Sequence, residues 1–241
     1  MSEQERIKRA YKRRYKDGTL YSFFNPGQLF MTQQLERTLL AVLARHGMDS
    51  LHDKRILEVG CGVAWRLRQF INYGARPENL FGVDLQEPAI KEARAINPNI
   101  VFQCNNAESL PFEDEWFDLV MQFVMFTSIL SREMKYNVAR EMLRVLKPTG
   151  LILWYDYYVS KPNNRDVKGV GRKEIVGLFP KCSFDFYRVT LAPPLARAIA
   201  PYSFLLCYLL DKIPALRMHY LVIIRKKSTH SRPSPNLTLM L

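Results

Sequence analysis

The chain holds only four cysteines and four histidines in 241 residues, and neither set forms a recognisable device. Cys61, Cys104, Cys182 and Cys207 show no C-x-x-C spacing, which argues against a zinc ribbon, a dithiol redox centre or a disulfide framework and for a reducing compartment. His46, His52, His219 and His230 fall in no metal-binding pattern, and the acids show no diagnostic ligand spacing, so no metal site is expected. The apolar stretch Ala198–Leu210 is shorter than the roughly 20 residues that span a bilayer. The N-terminus is charged and lacks the apolar segment of a secretory leader, so the expected location is the cytoplasm, with the inner face of the membrane within reach. Acids are scarce: 23 Asp and Glu stand against 35 Lys and Arg, a formal net charge of +12. That excess suits a phosphate-bearing substrate or an anionic surface. No internal repeat or long low-complexity run is present, and a 48% hydrophobic content supports one full-sized core.

What is present is a glycine turn. The run Arg55-Ile56-Leu57-Glu58-Val59 stops at Gly60-Cys61-Gly62, and a second run, Leu80-Phe81-Gly82-Val83, ends in Asp84. Strand, glycine turn, helix, strand and terminal acid describe a nucleotide-binding crevice. A dinucleotide site would need a third glycine where Trp65 falls, and Glu58 would repel a pyrophosphate. A cofactor carrying an ammonium group and no phosphate would be attracted instead. S-adenosylmethionine (SAM) is such a cofactor.

Leu57-Glu58-Val59-Gly60-Cys61-Gly62 resembles the first motif of the class I SAM-dependent methyltransferases, with Ala64 in place of the usual third glycine. Gly82-Val83-Asp84 resembles their ribose-binding strand end, and Asn105 to Phe112 their G-D-A-x-x-L-P-F segment. Phe117-Asp118-Leu119-Val120 and Leu143 to Gly150 resemble their fourth strand and the turn before the fifth. The likeness runs from about Lys54 to Asp156. It implies roles residue by residue. Backbone groups of Gly60, Cys61 and Gly62 would pass the methionyl part and ribose, and Glu58 would lie near the methionine ammonium. Asp84 would accept from both ribose hydroxyls. Leu85 would pack on the adenine, Asn106 would accept from its amino group, and Ala107 would offer a backbone N–H. Gln122 would face the methyl-transfer site.

Strands are expected over Arg55–Val59, Leu80–Asp84, Ile100–Cys104, Leu119–Phe123 and Leu151–Tyr155, alternating with helices over Thr32–His46, Ala64–Tyr73, Pro88–Ile96 and Arg132–Leu146. Such alternation predicts an α/β fold with a parallel sheet covered on both faces. Phe184–Leu191 and His219–Arg225 read as two final strands, making the seven-stranded Rossmann-like sheet of the family, its last strand antiparallel. The domain is expected over residues 32–227, with a helical cap insertion at about 157–216 and a flexible tail at 228–241. Residues 1–31 form a basic and aromatic segment, read as a helical lid over the cofactor with Tyr21 and Asn25 as contacts. The apolar stretch Leu191–Leu216 reads as a lid, an interfacial membrane element or plain core.

Methyl transfer from a sulfonium is an in-line displacement, so alignment and exclusion of water carry much of the rate. An oxygen acceptor also needs a base, and Asp156 at the end of the fifth strand is the first candidate, with Asp166 and His219 as alternatives. The basic charge and the resemblance favour O-methylation of a sugar, glycan or lipid-linked sugar, with peripheral membrane contact. A small aromatic or isoprenoid acceptor is the second reading, and a SAM-binding regulatory protein the non-enzymatic one. Nucleic acid is not the expected partner. Gln122-Phe123-Val124-Met125 stands where N-P-P-Y-type motifs follow the fourth strand, which argues against N-methylation of adenine or glutamine.

Overall fold

A computed structural model describes residues 2–14, 21–160 and 164–227. Its helices are α1 (Glu3–Arg14), α2 (Pro26–Arg45), α3 (Trp65–Asn72), α4 (Glu87–Ile96), α5 (Arg132–Val145), α6 (Arg172–Leu178), α7 (Pro193–Ile199) and α8 (Phe204–Asp211). Its strands are β1 (Ile56–Val59), β2 (Leu80–Asp84), β3 (Val101–Cys104), β4 (Phe117–Phe123), β5 (Leu146–Tyr157), β6 (Cys182–Leu191) and β7 (Arg217–Lys226). They form one sheet in the order β3-β2-β1-β4-β5-β7-β6, in which β7 alone runs antiparallel to both its neighbours. This is the Rossmann-like seven-stranded arrangement expected from the alternation of elements together with the family resemblance.

The side-chain alternation of each strand sorts the core into two layers. Leu57, Val59, Val83 and Trp154 pack towards α5 and α6, with Ile7 of α1 among them. Ile56, Leu80, Met121 and Leu153 pack towards α2, α3 and α4. β1 is buried on both faces, as a central parallel strand must be. The strand order reverses between β1 and β4, so a crevice opens at their carboxyl ends.

Two boundaries differ from expectation. α2 begins at Pro26, because the Asn25 side chain accepts from the Gly27 and Gln28 backbone N–H groups and proline suits the first helical turn. The helix therefore runs through the expected boundary at 31/32. The stretch 157–216 is not one insertion: α6 and β6 belong to the core, since β6 pairs with β7 from Cys182 to Leu191. Only 192–216, carrying α7 and α8, stands outside the sheet, packed on Phe30 and Met31 of α2. The expected tail at 228–241 lies outside the described residues.

Candidate functional site

The turn after β1 is built from left-handed backbone. Gly60, Gly62 and Ala64 have φ of +75°, +54° and +59°. Only glycine adopts this region freely, so Ala64 carries a strain that the expected third glycine would not. A Cβ on Gly60 would lie 2.6 Å from Met125 Sδ, so the position has no room for one while Met125 stays. Val124, before it, holds φ at +56°, a costly conformation for a β-branched residue. Its N–H donates to the Tyr155 carbonyl at 2.8 Å, which fixes that bend and aims Met125 at the turn.

β2 clamps the turn. The Gly60 and Cys61 N–H groups donate to the Val83 carbonyl at 2.7 and 3.1 Å. The Asp84 carboxylate accepts from Gly62 N at 2.8 Å and from Gln86 N at 2.9 Å. Burial pushes its pKa up, opposed by the backbone donors. An ionised carboxylate has about four acceptor positions, so with the Leu85 backbone N–H also directed at it, acceptor capacity remains for a further donor.

The cleft at this point encloses about 520 Å³ and opens partly to solvent. Gly60, Asp84, Leu85, Asn106, Ala107 and Met125 line it, and Asp84 is the one acid among its described lining residues. Asn106 is held by Glu108, whose backbone N–H donates to Oδ1 at 3.1 Å and whose carboxylate accepts from Nδ2 at 2.9 Å. One lone pair of Oδ1 remains.

Glu58 lies beneath the turn, 2% exposed. It accepts from the Leu67 backbone N–H, yet Oε2 has no hydrogen-bond partner. Burial raises its pKa to about 8, against the opposing field of Arg66. A buried carboxylate oxygen without a donor is a place for a cation. An ammonium at Glu58, a diol at Asp84 and a flat ring between Leu85 and Ala107 are the groups of SAM, and the residues present fit it.

α1 roofs the cleft with Ile7 and Tyr11. Glu3 accepts from Leu130 N at 2.5 Å and Ser131 N at 3.2 Å, capping the start of α5 from outside. Arg6 donates to the Ser128 carbonyl, and Arg13 pairs with Asp166 at 2.9 Å.

Residues 56–150 match the family model described as a methyltransferase domain. Over that stretch, which runs from β1 into β5, the chain is similar to a methyltransferase domain. A ubiquinone/menaquinone biosynthesis C-methyltransferase from Stutzerimonas stutzeri is 29% identical over 174 residues, 70% of this chain and 60% of the relative. A phthiotriol/phenolphthiotriol dimycocerosates methyltransferase from Mycobacterium ulcerans is 33% identical over 122 residues, 47% of this chain and 40% of the relative. The chain spans about half the length of the curated relatives it matches. A solved Pyrococcus horikoshii protein shares the fold, with a TM-score of 0.63 at 20% identity over 90% of this chain and 99% of that one.

The fold does not bring the three candidate bases into the cleft lining. Asp156 is 1% exposed, and its oxygens accept from Thr127 N at 3.1 Å and Tyr157 N at 2.8 Å. It ties the end of β5 to the loop after β4, and burial raises its pKa to about 7. Asp166 is engaged by Arg13, and Arg6 lies 3.9 Å away, so it anchors α1. His219 is 3% exposed and stacks on Tyr155, 4.7 Å between centroids at 5°, because β7 pairs beside β5.

Three cofactor expectations also change. Gln122 is fully buried and serves the backbone, donating to the Tyr155 carbonyl at 3.3 Å and accepting from Met125 N at 3.0 Å. Asn25 spends its side-chain oxygen on the α2 cap. Neither lines the cleft, and nor does Tyr21, which is exposed and close enough to Tyr157 to help raise that phenol to about 12, after burial. Cys61 and Gly62 supply turn backbone, and burial keeps the Cys61 thiol protonated.

Sequence reasoning missed Ile7, Tyr11, Met125 and Arg66. The spacing of Ile7, Ala10 and Tyr11 within a charged run was the available signal for the first two. Arg66 gave none. Its guanidinium is buried 4.0 Å from the centroid of the Trp65 ring and 5.1 Å from that of Phe123, and it donates to Gln69 at 2.8 Å. That arrangement depends on the ends of α3 and β4 meeting.

Proposed function

We propose that the chain transfers the methyl group of SAM to an apolar, lipid-like or aromatic acceptor. The observation that carries this reading is an aromatic wall at the carboxyl ends of β4 and β5. Phe123 lies 5.7 Å from Tyr155, Tyr155 stacks on His219, and His219 lies 3.8 Å from Tyr157. Trp65 continues it through Arg66. Such a wall favours flat or apolar groups by area and stacking.

SAM supplies a methyl group activated on a sulfonium. The protein's part is to place the acceptor in line with it and keep water out. Asp84 and the turn would fix the nucleoside, and Glu58 would hold the methionyl ammonium. Ile7, Tyr11 and Met125 close the roof with apolar atoms. Phe123 and Tyr157, partly exposed in front of the buried Tyr155 and His219, would orient the acceptor.

A sugar or lipid-linked glycan acceptor, with Asp156, Asp166 or His219 as base, is less well supported, because each of the three is committed elsewhere. The names of the curated relatives, in quinone biosynthesis and on phthiotriol dimycocerosates, also favour the lipid-type acceptor. The test is incubation with methyl-labelled SAM and three acceptor pools: prenylated quinols, phenolic lipids, and lipid-linked or free sugars. Label in the first two pools is the expected result. Label confined to sugars would overturn the acceptor reading, and tight SAM binding with no turnover on any pool would favour the regulatory one.

A further inference from the structure

We infer that α8 and the turns flanking it form a docking surface for an anionic lipid bilayer. The starting point is an imbalance between composition and burial. α8 reads Phe-Leu-Leu-Cys-Tyr-Leu-Leu-Asp, and Cys207 is its one buried residue. Leu205 is 69% exposed and Leu209 55%, with Phe204 and Leu206 beside them. Tyr202 before the helix is 90% exposed, and Ile213 after it 46%. Soluble monomers rarely leave a contiguous apolar patch of this kind uncovered.

The helix is not a failed core element. Ser203 caps it by accepting from Leu206 N at 3.1 Å, and Cys207 anchors it on Phe30, Leu191 and Ala196. It is held with Leu205, Leu206 and Leu209 outward, while Leu210 packs on the cluster beneath. Eight residues make about 12 Å of helix, far short of a span but suited to lying within the headgroup boundary. Among the described residues no helix is long and apolar enough to cross a membrane.

Charge selects the occupant. Arg37 and Lys212 both approach the Tyr208 ring, at 5.5 and 4.6 Å, and both are exposed. The nearest acid, Asp211, is paired with Arg217 at 3.5 Å. β6 runs parallel to β5, so 192–216 leaves the sheet at the same end as the glycine turn. α1 covers that end near β2 and presents Lys8, Arg9 and Lys12 outward. A bilayer lying across this end meets leucines at one edge and lysines and arginines along it. A second copy docked isologously would bring two copies of this basic edge into one interface, which disfavours self-association. The surface does not depend on the acceptor being a lipid, and its test requires no turnover.

The experiment is flotation of the full chain with phosphatidylcholine vesicles, with and without one-third phosphatidylglycerol, at low and high salt. The expected result is binding to the anionic vesicles that weakens with salt. Leu205→Glu with Leu209→Glu should abolish it, and Arg37→Glu with Lys212→Glu should weaken it on the order of tenfold. These side chains are exposed, and an unchanged melting curve confirms that each variant folds. Equal binding by the wild type and the leucine variant would overturn the proposal. So would no vesicle binding, whether the chain is monomeric or forms a dimer that the leucine variant breaks.

Discussion

The glycine turn and the roof over it enclose one cleft but are built by opposite means. The turn is local. Gly60 and Cys61 are fixed by donating to the Val83 carbonyl, and Gly62 by donating to one carboxylate, Asp84, which also accepts from Gln86 N. The roof is remote. Glu3 reaches Leu130, 127 residues away, and Arg13 reaches Asp166, 153 residues away. A site half made of short-range backbone and half of long-range ion pairs should lose function steeply when the first half is cut and gradually when the second is.

The sharpest break is Asp84→Ala. It removes two charge-assisted hydrogen bonds, one from Gly62 of the turn and one from Gln86 after β2, and the acceptor offered to a ribose. With each such bond contributing about 1.5–3 kcal/mol, SAM affinity should fall on the order of a hundredfold or more. Calorimetric titration reads this directly. Binding within a few-fold of wild type would show that the turn is held without Asp84 and that ribose lies elsewhere.

That division also explains what was legible. The turn and its acid could be read because a glycine turn between two apolar runs is a contiguous pattern. The parallel part of the sheet followed from the alternation of elements, and the antiparallel last strand from the family resemblance. The roles of Asp156, Gln122 and Asn25 did not follow. Each stands at a strand end or turn where a polar side chain serves either a ligand or nearby backbone, and sequence cannot tell which partner wins. Here the backbone wins at all three. Asp166 was misread for another reason: its partner lies on α1, and no spacing rule links positions so far apart.

Glu58→Gln comes next. The Glu58 pKa rises from 4.5 unfolded to about 8 folded, so the folded state holds a proton that the unfolded state releases. The stability this contributes is full below about pH 4.5 and is lost as pH rises through 8. The melting temperature without cofactor should fall across that window, and the Gln variant should fall less. Asp156, raised from 3.8 to about 7, leaves a residual slope. An ammonium at Glu58 favours the ionised form, so SAM binding near pH 7 should release a proton from the wild type and not from the variant. Titrations in buffers of different ionisation enthalpy measure this. Equal release from both would place the ammonium away from Glu58.

Asp156 sharpens the contrast between holding a site and acting in it. Asp156→Asn keeps one acceptor for Thr127 N or Tyr157 N and leaves the other unsatisfied, at a cost of about 1–3 kcal/mol of stability. With kcat read at a temperature where the variant is folded, turnover should stay within a few-fold of wild type. A fall of a hundredfold or more, with an unchanged melt and KM, would restore Asp156 as the base.

Asp166→Ala should have the smallest effect. Its partner Arg13 is largely exposed, and exposed pairs contribute between nothing and about 1 kcal/mol. The roof would keep Ile7 in the core and Glu3 on the start of α5. SAM affinity should therefore drop less than about fivefold, and added salt should lower the wild type towards the variant because it screens the same pair. Backbone exchange in α1 should quicken at the Arg13 end before it does at Glu3. If exchange instead quickens along the whole helix and affinity falls as far as in Asp84→Ala, the remote half of the cleft is as cooperative as the local half.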